Sequence, residues 1–134
     1  MANAIYPKYK EVILGAATNT NLLTGTVKVA LVDTETYTYN AADQFLTSLT
    51  GVVGTAQTIG ATKSVTNGVF DGADVTYTAV TGNRVEALVI YVDTGTAATS
   101  PLVAYIDTGV TGLPVSPNGG NITVTWNASG IFAL

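Results

Sequence analysis

Two stretches constrain the fold more than any other part of the chain. Ala87 to Val92 reads ALVIYV and Leu102 to Ile106 reads LVAYI, and neither alternates apolar with polar residues. A strand with one face in water alternates, whereas a strand covered on both faces is apolar throughout. Both runs fall far short of a membrane span of roughly 20 residues. The chain must therefore build a sheet whose central strands are covered on both sides.

The remaining segments read as partners for that sheet. In Thr26 to Val32, Val27, Val29 and Leu31 alternate with Thr26, Lys28 and Ala30, the pattern of a half-buried strand. Thr34 to Asn40 either continues this strand or leaves it. Thr58 to Thr66 and the segment from Val69 are joined by Asn67-Gly68, the strongest two-residue hairpin signal, because both residues tolerate positive φ. After Asp71-Gly72, Ala73, Val75, Tyr77 and Ala79 face one way and Asp74, Thr76 and Thr78 the other. Gly82-Asn83 turns the chain into the first apolar run. Near the end, Ile122, Val124 and Trp126 share a face, and Asn127 to Gly130 turns into Ile131-Phe132-Ala133-Leu134. An apolar tail of this kind is either tucked into its own sheet or meant for a neighbour.

Two segments read as helical. Ile5, Tyr9, Val12, Ile13 and Ala16 fall on one helical stripe, with Pro7 suited to a first turn and Gly15 near the exit. Ala41 to Gly51 reads as one or two turns stopped by the glycine. Seven or eight strands at short intervals, without βαβ alternation, predict an all-β fold: one β-sandwich or jelly-roll domain over residues 1–134, in which 1–20 form a helical or extended N-terminal segment. Thr, with 23 positions, favours strands and replaces the usual charged surface, since charged residues are only 10%.

That low charge narrows the function. Lys8, Lys10, Lys28, Lys63 and Arg84 are scattered singly in a chain of net charge −4, so no basic patch exists to follow a phosphate backbone, and nucleic acid is not an expected partner. Cys and His are both absent. This removes thiolate nucleophiles, the commonest general base and the commonest metal ligands, and with them the Ser-His-Asp, Cys-His and zinc-hydrolase chemistries. No cofactor is expected. Lys8 and Lys10 ahead of Val12-Ile13-Leu14 have the outline of a signal peptide, but the apolar region is too short and Glu11 interrupts it, so the chain reads as soluble and unprocessed, with no membrane partner.

One motif argues for chemistry. Asp93-Thr94-Gly95 and Asp107-Thr108-Gly109 each close an apolar run with the tripeptide that holds the catalytic carboxylate of aspartic proteases. Those enzymes bring two carboxylates close enough to share a proton. Here one hairpin separates the copies, and a strand of about 7 residues spans more than 20 Å, so one chain cannot pair them. A homodimer with one copy per subunit, as in retroviral proteases, would need a late glycine-containing motif to buttress the loop, and Gly82-Asn83-Arg84 precedes both copies. The economical reading is a strand stop: Asp bonds the backbone two residues on, and Gly supplies positive φ. Asp33-Thr34 fits the same habit. The chain is not expected to be an enzyme.

The other candidates are weaker. Asp71 and Asp74 offer two oxygens to Ca²⁺ without the rest of a cage, and Asn121 and Asn127 head glycosylation triplets that matter only in a secreted eukaryotic protein. Tyr6, Tyr9, Tyr37, Tyr39, Tyr77, Tyr91, Tyr105 and Trp126 include mostly core positions, but Tyr37 and Tyr39, in a Thr-rich strand, would expose one face suited to sugar stacking.

Across essentially its whole length, from ANAIYPKYKE through GVVGTAQTIG and NGVFDGADVTYTAVTGN to NGGNITVTWNASGIFAL, the chain resembles the capsid cement or decoration proteins of tailed bacteriophages. The resemblance lies in overall phrasing and carries no site residue over. It implies a structural virion protein on the outer capsid surface that bridges and stabilises major capsid protein subunits, itself a homo-oligomer, dimer or trimer. The alternative within the same particle is a tail or receptor-binding, carbohydrate-binding module. Interfaces are expected at Ile5, Tyr6 and Tyr9 and at Ile131, Phe132 and Leu134, because interface centres favour aromatic and apolar residues over charges.

Overall fold

The computed structural model describes residues 3–18, 20–60 and 62–134. Among them the chain forms β1 (Ala4–Ile5), α1 (Pro7–Leu14), β2 (Thr26–Val32), β3 (Val52–Thr58), β4 (Ser64–Thr66), β5 (Val69–Asp71), β6 (Val75–Tyr77), β7 (Ala87–Asp93), β8 (Leu102–Ile106), β9 (Ile122–Val124) and β10 (Phe132–Ala133). Short 3₁₀ turns lie at Leu46–Ser48 and Ala97–Thr99. The fold is all-β and sandwich-like, with antiparallel pairing throughout. One sheet runs β1-β8-β7-β2-β3, a second β10-β5-β4, and a third β6-β9.

The two apolar runs become β7 and β8, adjacent inside the large sheet. Every residue from Ala87 to Val92 and from Leu102 to Ile106 is buried, so both faces of these strands are covered. Strand β2 departs from its half-buried expectation: Val29, Ala30, Leu31 and Val32 are all 1% exposed or less. Its alternation marked only the start: β2 is an interior strand between β7 and β3, and from Val29 onward both of its faces are covered. The register between β2 and β3 shifts after Val29, and the Val29 carbonyl there accepts the hydroxyl of buried Tyr77 at 2.7 Å. That bond ties the two-stranded β6-β9 sheet to the large sheet, and the apolar sides of both its strands are buried as the sequence predicts: Val75, Tyr77, Ile122 and Val124.

Local signals are realised where the chain needs no distant partner. Asn67 (φ 53°) and Gly68 (φ 77°) join β4 to β5, both in the left-handed region that a two-residue hairpin of this kind requires. The expected strand Thr58 to Thr66 is broken, with β3 ending at Thr58 and β4 starting at Ser64; position 61 within it lies outside the described residues. Between the two, the Lys63 ammonium donates to the Gly25 carbonyl at 2.5 Å.

In the N-terminal segment, positions 1, 2 and 19 lie outside the described residues. The helical stripe begins later than expected. Ile5 belongs to β1, and Tyr6 (φ −58°, ψ 125°) is extended, as a residue before proline is driven to be; Pro7 then opens α1. Ala16 (φ 52°) already lies past the helix. Ala41 to Gly51 yields a single 3₁₀ turn. At the other end, β10 pairs with β5, so the apolar tail is tucked into its own sheet. It remains an edge, as β1 is in the large sheet. Among the described residues no helix is long and apolar enough to cross a membrane.

Candidate functional site

The aspartates of the doubled tripeptide are far apart. Leu88 pairs with Ile106 and Thr26 with Asp93, which puts Asp93 and Asp107 at opposite ends of the sheet, about 20 Å apart at roughly 3.4 Å per residue. Asp93 behaves as a strand stop: Oδ1 accepts the Gly95 N–H at 2.9 Å and Oδ2 pairs with Lys28 at 2.8 Å. The Lys28 ammonium, helped by the Gly95 N–H, holds the Asp93 carboxyl below the usual range, and the same contact raises Lys28. Asp33 also follows the habit, accepting the Glu35 N–H at 2.9 Å and the Asn83 amide at 2.9 Å. These bonds, the Glu35 N–H first, lower its carboxyl despite burial.

Asp107 departs from the expectation. Its turn is closed by Asn3, whose Oδ1 accepts the Asp107 N–H at 2.7 Å and the Thr108 N–H at 3.0 Å. The Asn3 amide donates back to the Thr108 carbonyl at 3.0 Å. Asp107 instead lines a cleft. The remaining polar candidates are structural: Asp74 accepts the Trp126 N–H, Asn121 the Ala79 N–H, and Asn127 the Ser129 N–H. Among the described residues no group of three or more His, Cys, Asp or Glu is placed to hold a metal.

The expected interface residues divide. Tyr6 is wholly buried: its hydroxyl donates to Tyr37 at 2.8 Å, and Tyr37 donates to Asp43 at 2.7 Å. Tyr6 therefore belongs to the core and offers no surface: its N–H bonds the Val103 carbonyl of β8 and its ring packs against Tyr39. Burial above all keeps the Tyr6 and Tyr37 phenols protonated, well above the ordinary range. Tyr9, 3% exposed, donates to the Thr20 carbonyl at 2.7 Å, and burial pushes it up to about 12. Ile5, Ile131 and Phe132 are half-buried and face one another across a groove of about 270 Å³ between the two sheet edges. Leu134 is 63% exposed.

A second groove, of about 320 Å³, joins these termini to residues that sequence reasoning missed. Tyr9 and Phe70 lie at its base, with Ile13, Leu23, Val65 and Leu134 around them, and no charged side chain lines it. Leu23 is 48% and Val65 50% exposed. The adjacent Leu22-Leu23 and the lone apolar residue in Ser64-Val65-Thr66 were the available signals, but nothing in one sequence says that they meet.

The tyrosines hold a correction too. Thr34 to Asn40 is not a strand. Past Val32 the chain turns on the Asp33 carbonyl, which accepts the N–H groups of Thr36 and Tyr37, so Tyr37 points inward and is 3% exposed. Tyr39 is half-buried, its ring 5.1 Å from Tyr6 and 5.4 Å from Tyr105 between centroids. Beside it opens a cleft of about 480 Å³ that Tyr39 and Tyr105 share with Arg84, Glu86 and Asp107. No family model matches the chain, and no curated protein matches it.

Proposed function

We propose that the chain is a structural virion protein of a tailed bacteriophage that binds the outer capsid surface, bridges major capsid protein subunits, and acts as a small homo-oligomer. The observation that carries this reading is the convergence of both terminal segments on one apolar groove without charged side chains, with Leu23, Val65 and Leu134 about half-exposed or more. Apolar side chains grouped on one surface favour a protein interface. The groove is small against the roughly 800 Å² per partner of a stable complex. An oligomer that grips several capsid subunits offsets this through effective concentration. The overall resemblance to decoration proteins and the separation of Asp93 from Asp107 at opposite ends of the sheet support the same reading.

The test is cryo-electron microscopy of particles of the encoding phage, with co-sedimentation of recombinant protein and capsids lacking it. The expected result is density on the outer shell and at least about tenfold weaker binding for Leu23→Asp and Leu134→Asp, since a charge buried at an interface costs more than about 1.4 kcal/mol. Undiminished capsid binding by both variants would remove the groove from the proposal; density elsewhere on the particle would remove the capsid. The second reading, a carbohydrate-binding module of the tail, is favoured by the tyrosine-lined cleft.

A further inference from the structure

The cleft beside Tyr39 has the volume of a ligand site, about 480 Å³ against roughly 300 to 1,000 Å³ for small-molecule pockets. Three segments far apart in sequence build it: the loop after β2 brings Tyr39, the approach to β7 brings Arg84 and Glu86, and the end of β8 brings Tyr105 and Asp107. Several of its polar groups other than Asp107 keep bonding capacity to spare. Tyr105 is 3% exposed as a whole, and its hydroxyl, which makes no hydrogen bond to any described residue, keeps access to solvent at the cleft it lines. That hydroxyl lies within the fields of Asp107 and Glu86. The Tyr39 hydroxyl and the Arg84 guanidinium likewise bond no described residue. Glu86 uses Oε1 to accept the Thr34 N–H at 3.2 Å, which leaves most of the roughly four lone-pair sites of a carboxylate open.

We propose that this cleft binds a neutral sugar, with Tyr39 lending its ring to the sugar's C–H face and Arg84, Glu86 and Tyr105 bonding its hydroxyls. The charges select the class. The Glu86 carboxylate disfavours an anion such as a phosphate, and the Arg84 guanidinium that shares the cleft disfavours a cation. What remains is a ligand whose groups both donate and accept, and sugar hydroxyls do both. Guanidinium and phenol donate to them, while the carboxylate accepts from them. The inference holds whether the chain sits on a head or a tail, so it stands or falls apart from capsid binding.

The experiment is saturation-transfer NMR on the full chain with the methyl glycosides of glucose, galactose, mannose and N-acetylglucosamine, with N-acetylneuraminic acid as the anionic comparison. At least one neutral glycoside is expected to receive saturation. Arg84→Ala and Tyr105→Phe, each checked for folding by circular dichroism, are expected to weaken its binding about tenfold and about fivefold, the range for loss of a hydrogen bond to a bound ligand. Arg84 is exposed, so its removal leaves the core intact. No transfer to any neutral glycoside, transfer to the anionic sugar alone, or unchanged affinity in both variants would overturn the proposal. Sugar binding without capsid binding would leave the cleft standing and overturn the decoration reading.

Discussion

Asp93-Thr94-Gly95 and Asp107-Thr108-Gly109 are the same three residues at the ends of adjacent strands, and the structure closes the two turns with different groups. The glycines behave alike, Gly95 at φ 87° and Gly109 at φ 75°, each with open space where a side chain would begin. The capping differs. Asp93 caps its own turn and reaches diagonally across to Lys28 on β2, whereas the second turn is held by Asn3, 104 residues before Asp107. The cause is which strand lies alongside. β7 is flanked by β2, with its lysine in diagonal reach; β8 is flanked by β1, whose Ala4 pairs with Tyr105 and so sets Asn3 beside residues 107 and 108. With its turn closed from outside, Asp107 does not cap it, and the residue lines the cleft.

This contrast can be broken most readily at Asn3. Asn3→Ala removes three hydrogen bonds at once and is expected to cost about 2 kcal/mol in urea unfolding, with faster hydrogen exchange in β1. A loss below about 0.5 kcal/mol would mean that the second turn closes itself as the first does. The glycines sharpen the comparison from the other side. Gly95→Ala and Gly109→Ala are expected to cost the same, about 1 to 2 kcal/mol each, because the penalty for a left-handed non-glycine residue belongs to the backbone and ignores the cap. Unequal costs would show that the turns differ in conformation as well as in partners.

The smallest effect is expected at Asp93. Asp93→Asn keeps an oxygen for the Gly95 N–H but loses the ion pair with Lys28, a change worth less than about 1 kcal/mol for a part-exposed pair. Its sign with pH is definite. The folded carboxyl is depressed, chiefly by Lys28, so its stabilisation is complete above the unfolded value of about 3.9 and disappears as pH falls through the lower folded value. Thermal melts from about pH 6 to pH 2 should therefore fall less steeply in Asp93→Asn than in the wild type, with Asp33 supplying part of the remaining slope. Identical slopes would show that the Lys28 contact contributes nothing in solution.

Legibility followed the range of the cause. Asn67-Gly68, the runs at 87–92 and 102–106, and the alternation of Ile122, Val124 and Trp126 could be read because each records a conformation or burial state imposed on consecutive residues. The fates of Tyr6 and Tyr37 could not. One is held against β8 through the Val103 carbonyl and the other is carried inward by a loop folding back on Asp33, and their hydroxyls meet across 31 positions. The cleft was illegible for the same reason: Arg84 and Glu86 read as ordinary surface charges until β8 places Tyr105 against them.

From sequence alone came an all-β domain with its central strands covered on both faces, the positions of its sharpest turns, and the absence of thiol and imidazole chemistry. These follow from backbone sterics, side-chain periodicity and residue inventory, which need no knowledge of neighbours. Only the tertiary structure decided which strand lies beside which, and with that whether an aspartate caps its own turn, whether a tyrosine is core or surface, and that the apolar parts of both termini share one groove. Those outcomes depend on pairing across a hundred residues, where the hydrogen-bonding and packing partners of a side chain come from elements that nothing in its local sequence names.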